Sequence, residues 1–79
     1  MSEEVISKVR EVVAHIAKID DPASIGEEKD LYQDLGVQST AALDLLLSLE
    51  DEFDVEIPDE DFGEARTVSG LTALIVKLS

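Results

Sequence analysis

The sequence predicts an all-α protein: a small bundle of three main helices plus one short helix, with a long ordered loop between helices one and two. Three observations lead there. Three stretches repeat apolar side chains at helical spacing. No stretch alternates apolar and polar residues as a half-buried strand does. And 79 residues suit one core, so residues 1–79 read as a single domain without repeat or linker.

The first helix is written in the apolar positions 5, 6, 9, 12, 13, 16 and 19, a stripe from Val5 to Ile19. Ser2 suits its cap, and Glu3 and Glu4 suit the positive end of the helix dipole. DDPASIGEEKDLYQDLGVQ follows, rich in turn residues and without a period, so it reads as a loop. Loops longer than about 12–15 residues are uncommon in compact domains unless they carry function or are disordered. Leu31 and Leu35, helped by Ile25 and Tyr32, are expected to pin this one to the core and so fix where the next helix starts.

The second helix is TAALDLLLSLEDEF. At about 100° per residue, Ala42, Leu45, Leu46, Leu49 and Phe53 share one face, while Thr40, Asp44, Leu47 and Asp51 point away and Leu43 lies on the border. An outward leucine ringed by Asp44, Glu50 and Asp51 has the composition of a small docking surface, although single exposed leucines are also ordinary. In DVEIPDEDFGEA, Pro58 suits the start of a short helix, acids fill its first turn, and Gly63 suits its end. The last helix places Val68, Leu71, Leu74, Ile75 and Leu78 on one stripe, with Thr67 as cap and Lys77 at the negative end.

Composition narrows function. A domain this short buries only about 60% of the surface its unfolded chain exposes, which leaves little support for an enclosed catalytic pocket of roughly 300–1,000 Å³. Six basic against nineteen acidic residues give a net charge of -13. That field repels nucleic acid and anionic membranes and favours proteins carrying basic patches. The chain has no cysteine, hence no thiol of its own for nucleophilic or metal chemistry. The N-terminus lacks the basic and unbroken apolar regions of a secretory signal, and no segment approaches the roughly 20 apolar residues of a membrane span. A cytoplasmic monomer is the expectation.

Ten of the nineteen acids lie between Asp44 and Glu64, a span without Lys or Arg. Such a one-sign face is either a solubilising surface or a partner-facing one. A calcium loop fails on spacing: counting from Asp51 puts Phe53 and Val55 at ligand positions, and counts from Asp54 or Asp59 put no glycine sixth. Pairs of acids for acid–base catalysis lack the apolar wall that would separate their pKa values. His15, at the margin of the first stripe, reads as a half-buried structural imidazole without a chemical partner. Ser39 is different. As an N-cap it would start the second helix, with Gly36 supplying the lead-in turn; its hydroxyl would also face solvent at the positive end of the dipole, where backbone N–H groups favour a phosphate ester.

DLGVQS, the amphipathic acidic helix after it, EDEFDVEIPDEDF and the closing TVSGLTALI together resemble the acyl carrier proteins over nearly the whole chain. The resemblance implies a non-catalytic carrier. Ser39 would be the attachment point for 4′-phosphopantetheine, transferred from coenzyme A by a phosphopantetheinyl transferase, and acyl groups would ride on it as thioesters. Leu43 and Leu47 match the family's partner-facing apolar positions, and Thr40, also partner-facing, replaces an apolar contact there. Asp44, Glu50, Asp51, Glu56, Asp59 and Glu60 match the acids that meet basic patches on acyl-loading, condensing or transferring enzymes. The family usually has Asp-Ser-Leu at the attachment site, whereas this chain has Gln38, Ser39 and Thr40. The alternative reading of the same residues is an acidic interaction module that keeps the carrier fold unmodified.

Overall fold

The computed structural model describes residues 3–79, so the Ser2 cap lies outside the described residues. Four helices follow in order: α1 (Glu3–Ala17), α2 (Ala42–Phe53), α3 (Asp59–Glu64) and α4 (Val68–Leu78). Two 3-10 turns, Pro22–Ser24 and Ser39–Ala41, interrupt the connection between α1 and α2. The described residues contain no strand, in keeping with the all-α expectation and its long ordered loop. α1 packs against both α4 and α2, and α3 packs against α4.

The apolar stripes close on one another. Val9, Val13 and Ala14 of α1, Leu45, Leu46 and Leu49 of α2, Phe62 of α3, and Val68, Leu71, Leu74 and Ile75 of α4 form the core. Each fully buried aliphatic side chain contributes about 1.5–3 kcal/mol relative to exposure, so these stripes fix which face of each helix turns inward. Thr67 caps α4 as expected, accepting the Gly70 N–H at 2.9 Å. The short helix begins just after Pro58 but runs through Gly63 to Glu64, because Gly63 keeps a helical backbone and the chain turns only at Ala65.

α1 and α2 end by one device. Lys18 and Asp54 each take the left-handed conformation, with φ of 61° and 54°. The amide two residues beyond each helix reaches back, Ile19 to Ala14 O at 2.8 Å and Val55 to Glu50 O at 3.3 Å. This is the Schellman arrangement, in which an apolar residue after the left-handed one folds back on the last turn. The first helix therefore stops at Ala17 although its apolar stripe continues to Ile19.

Loop residues 18–38 are ordered by long-range ties. Ile25, Leu31 and Val37 are buried, while Leu35 and Tyr32 pack at the core margin. Val37 was not foreseen, since one valine between Gly36 and Gln38 carries no period. The Arg10 Nε donates to Ile25 O at 3.1 Å, the Ser69 amide to Glu27 O at 3.0 Å and the Leu31 amide to Arg66 O at 2.7 Å. These bonds bring the loop onto α1 and the start of α4. His15 is exposed rather than half-buried, because it stands in the last turn of α1 on the side facing solvent.

Candidate functional site

Ser39 stands where the loop enters the bundle. Gly36 turns the chain with φ +79°, a conformation open to glycine without penalty, and an added Cβ there would meet nothing within 4 Å. Val37 then buries its side chain and donates its amide to Leu31 O at 2.9 Å. The next three residues, Gln38, Ser39 and Thr40, are all exposed.

The N-cap expectation for Ser39 is corrected. Ser39 is the first residue of a 3-10 turn; the preceding Gln38 occupies the cap position and makes no side-chain cap bond. The Ala41 amide closes on Gln38 O at 2.8 Å, and the Ala42 amide bonds Ser39 O. α2 starts two residues later than a cap at Ser39 would place it, with Ala41 before its first residue and again no side-chain cap. The tighter 3-10 turn supplies the first hydrogen bonds itself. The Ser39 hydroxyl is consequently exposed and, among the described residues, holds no hydrogen bond.

α2 turns its expected face inward. Leu43 and Leu47 are left 61% and 52% exposed, which moves Leu43 from the border to the open surface. Four residues apart on a helix, they stand one above the other. Asp44 and Asp51, both exposed, flank them at a separation of about 10 Å along the axis. Glu56, Asp59 and Glu60 are exposed in the segment that follows, and Asp59 and Glu60 lie in the first turn of α3. Three of the six bases form ion pairs, none of them with these acids: Lys8 with Glu11 and Glu52, Arg10 with Glu27, Arg66 with Asp30. Among the described residues, Asp44, Asp51, Glu56, Asp59 and Glu60 have no base within ion-pair distance, so their charges stay uncompensated at the surface.

Glu50, expected to face partners, is half-buried and engaged within the fold. Its carboxylate turns back and accepts the Ile57 N–H at 2.8 Å, holding the extended segment after α2 against the helix end. A seven-residue reach of this kind is invisible to a helical wheel. The second feature missed in the sequence is the turn at Asp30. The Asp30 carboxylate accepts the Tyr32 and Gln33 amides at 2.8 and 2.9 Å, and Asp34 answers by accepting the Asp30 amide at 2.9 Å. The Arg66 guanidinium joins it at 3.0 and 3.4 Å and lies 4.9 Å from the Tyr32 ring centre. The Gln33 amide first, then the Arg66 guanidinium, hold the Asp30 carboxyl below its ordinary value of 3.8. Arg66 is the lone base between Lys29 and Lys77, the one sequence signal that marked it.

Among the described residues no three His, Cys, Asp or Glu side chains converge where a metal ion could sit, and no helix is long and apolar enough to cross a membrane. Open grooves lie between α1 and its neighbours and between α3 and α4, and none of these is lined by Ser39. An exposed hydroxyl without a hydrogen-bond partner among the described residues, outside these grooves, suits a covalently attached group better than an enclosed ligand.

Comparison with known proteins agrees with this geometry. Residues 7–75 match the family model described as the phosphopantetheine attachment site. The chain is 36% identical over 76 residues to the meromycolate extension acyl carrier protein of Mycobacterium tuberculosis, covering 96% of this chain and 65% of that protein. It is 32% identical over 76 residues to an acyl carrier protein of Rhodococcus erythropolis, of which it spans 82%. Among solved structures, the acyl carrier protein from Enterococcus faecalis superposes with a TM-score of 0.83 at 32% identity, covering 100% of this chain and 99% of that one.

Proposed function

The chain belongs to the phosphopantetheine-attachment family of acyl carrier proteins, and on that footing we propose that it carries acyl groups on a 4′-phosphopantetheine arm joined to Ser39. When bound, that group supplies a terminal thiol on which acyl chains are held as thioesters. The polypeptide contributes no bond-making chemistry. It holds the serine hydroxyl at the surface and offers enzymes a surface to find.

The observation that carries the reading is the exposed, unengaged Ser39 hydroxyl three residues ahead of α2, beside an unpaired acidic and apolar strip. Ser39 would be the anchor. Thr40, Leu43 and Leu47 would make the apolar contacts, and Asp44, Asp51, Glu56, Asp59 and Glu60 would meet basic patches on a phosphopantetheinyl transferase and on acyl-handling enzymes. Glu50 leaves that set for the fold. The acids act at a distance, raising encounter rates, and the leucines fix the docked pose. Gln38 and Thr40, where the family usually has Asp and Leu, would suit a specialised carrier with a transferase of its own.

Intact mass spectrometry of protein recovered from its native host tests this. A phosphopantetheinyl increment present in the wild type and absent in Ser39→Ala is the expected result. A wholly unmodified native protein that no transferase loads in vitro would instead favour the acidic interaction module.

A further inference from the structure

We propose that Arg66 is a positioning residue for the Ser39 hydroxyl, acting through the Asp30 turn across the 36 residues that separate Arg66 from Asp30 in sequence. The inference rests on Ser39 being the attachment point, and it adds the residue that sets where that point sits.

The loop is tied to the helices in succession. Arg10 holds Ile25, the Ser69 amide holds Glu27, and Arg66 holds residues 30 and 31. Arg66 does so twice: its carbonyl accepts the Leu31 amide at 2.7 Å while its guanidinium grips the Asp30 carboxylate. Between Asp34 and Glu50, no side chain among the described residues makes a hydrogen bond. The Asp30–Arg66 pair is therefore the last side-chain tie across the molecule before Ser39.

What lies between is a relay of short, directional links. Asp30 caps the turn through Tyr32 and Gln33, the Leu31 carbonyl accepts the Val37 amide at 2.9 Å, and buried Val37 stands two residues before Ser39. Rotation of the turn at Asp30 shifts the Leu31 carbonyl and with it the Val37 amide. Arginine suits the position because its planar fork can meet two carboxylate oxygens while its face lies over Tyr32; a lysine offers a single point charge. Arg66 is also 48% exposed, and exposed ion pairs add little to global stability. Its effect is thus local placement.

Apo protein, coenzyme A and a broad-specificity phosphopantetheinyl transferase give the test, with loading followed by intact mass and folding by circular dichroism. Arg66→Gln and Asp30→Asn are each expected to lower kcat for loading by roughly tenfold or more, since misplacing a reacting atom by about 1 Å can cost as much as about 100-fold. KM, set by the α2 surface, stays as in the wild type. Arg66→Lys recovers part of the loss, and the double variant is no slower than either single one, because both remove the same link. Should Arg66→Gln fail to fold, Asp30→Asn, which keeps an acceptor for the turn amides, carries the test. A folded variant loaded with wild-type kcat overturns the positioning role while leaving the anchor intact. A wild type that cannot be loaded at all removes the anchor and the positioning role together.

Discussion

Glu50 gives the sharpest test of which acids serve the fold and which serve partners. Its carboxylate accepts the Ile57 N–H at 2.8 Å, and Ile57 itself is 4% exposed. Glu50→Ala leaves that amide without its acceptor. Hydrogen bonds to charged groups contribute about 1.5–3 kcal/mol, and the partial exposure of Glu50 puts this one near about 1.5 kcal/mol. Glu50→Gln keeps an acceptor oxygen at the same reach and should lose only about 0.5 kcal/mol. Both substitutions remove one negative charge from a crowded acidic surface, so the gap between them isolates the bond from the relief of repulsion. That gap, about 1 kcal/mol, corresponds to roughly 4–8 °C in Tm for a domain of this size. Glu56→Ala supplies the control: it removes the same charge from an exposed side chain and should shift stability by less than about 0.5 kcal/mol. Thermal melts followed by circular dichroism measure all three. If Glu50→Ala melts no lower than Glu56→Ala, the brace contributes nothing, and Glu50 returns to the docking set.

Other predictions concern different parts of the molecule. Leu47→Ala and Asp51→Lys should each weaken binding to a loading or acyl-handling enzyme by about fivefold or more without lowering Tm; unaltered Kd in both, by titration calorimetry, removes the α2 surface from docking. Thr72 buries a hydroxyl with no partner among the described residues, so Thr72→Val should stabilise the fold by about 1 kcal/mol in urea titrations. Because the folded-state pKa of Asp30 is depressed, the stability it adds is fully present above the ordinary carboxylate value and is lost as pH falls through the lowered one. Wild type should therefore melt above Asp30→Asn at neutral pH and approach it in acid; a gap that widens on acidification contradicts the assignment.

The helical faces were legible because they depend on spacing within one element. Leu45, Leu46 and Leu49 are buried and Leu47 is open, as the wheel places them, and Thr67 caps α4 through a bond of three residues' reach. The failures share a cause. The 3-10 turn at Ser39 follows the buried Val37 upstream, the inward turn of Glu50 depends on the path of the chain to Ile57, and the exposure of His15 depends on what packs beside that side of α1. Arg66 and Asp30 meet across the fold, which no local pattern encodes. Ser39 was legible as a special hydroxyl but not in its backbone setting, since serine suits both a cap and the first residue of a tighter turn.

The left-handed residues Lys18 and Asp54 have a consequence for how this scaffold tolerates change. At each, the exit direction of the chain is set by the apolar residue that follows, Ile19 or Val55, and by its reach back over the last helical turn. The helices are thus hemmed at their ends by bonds that close within two residues of the last turn. Trimming Ile19 would therefore loosen the end of α1, and trimming Val55 the end of α2, each without touching the other.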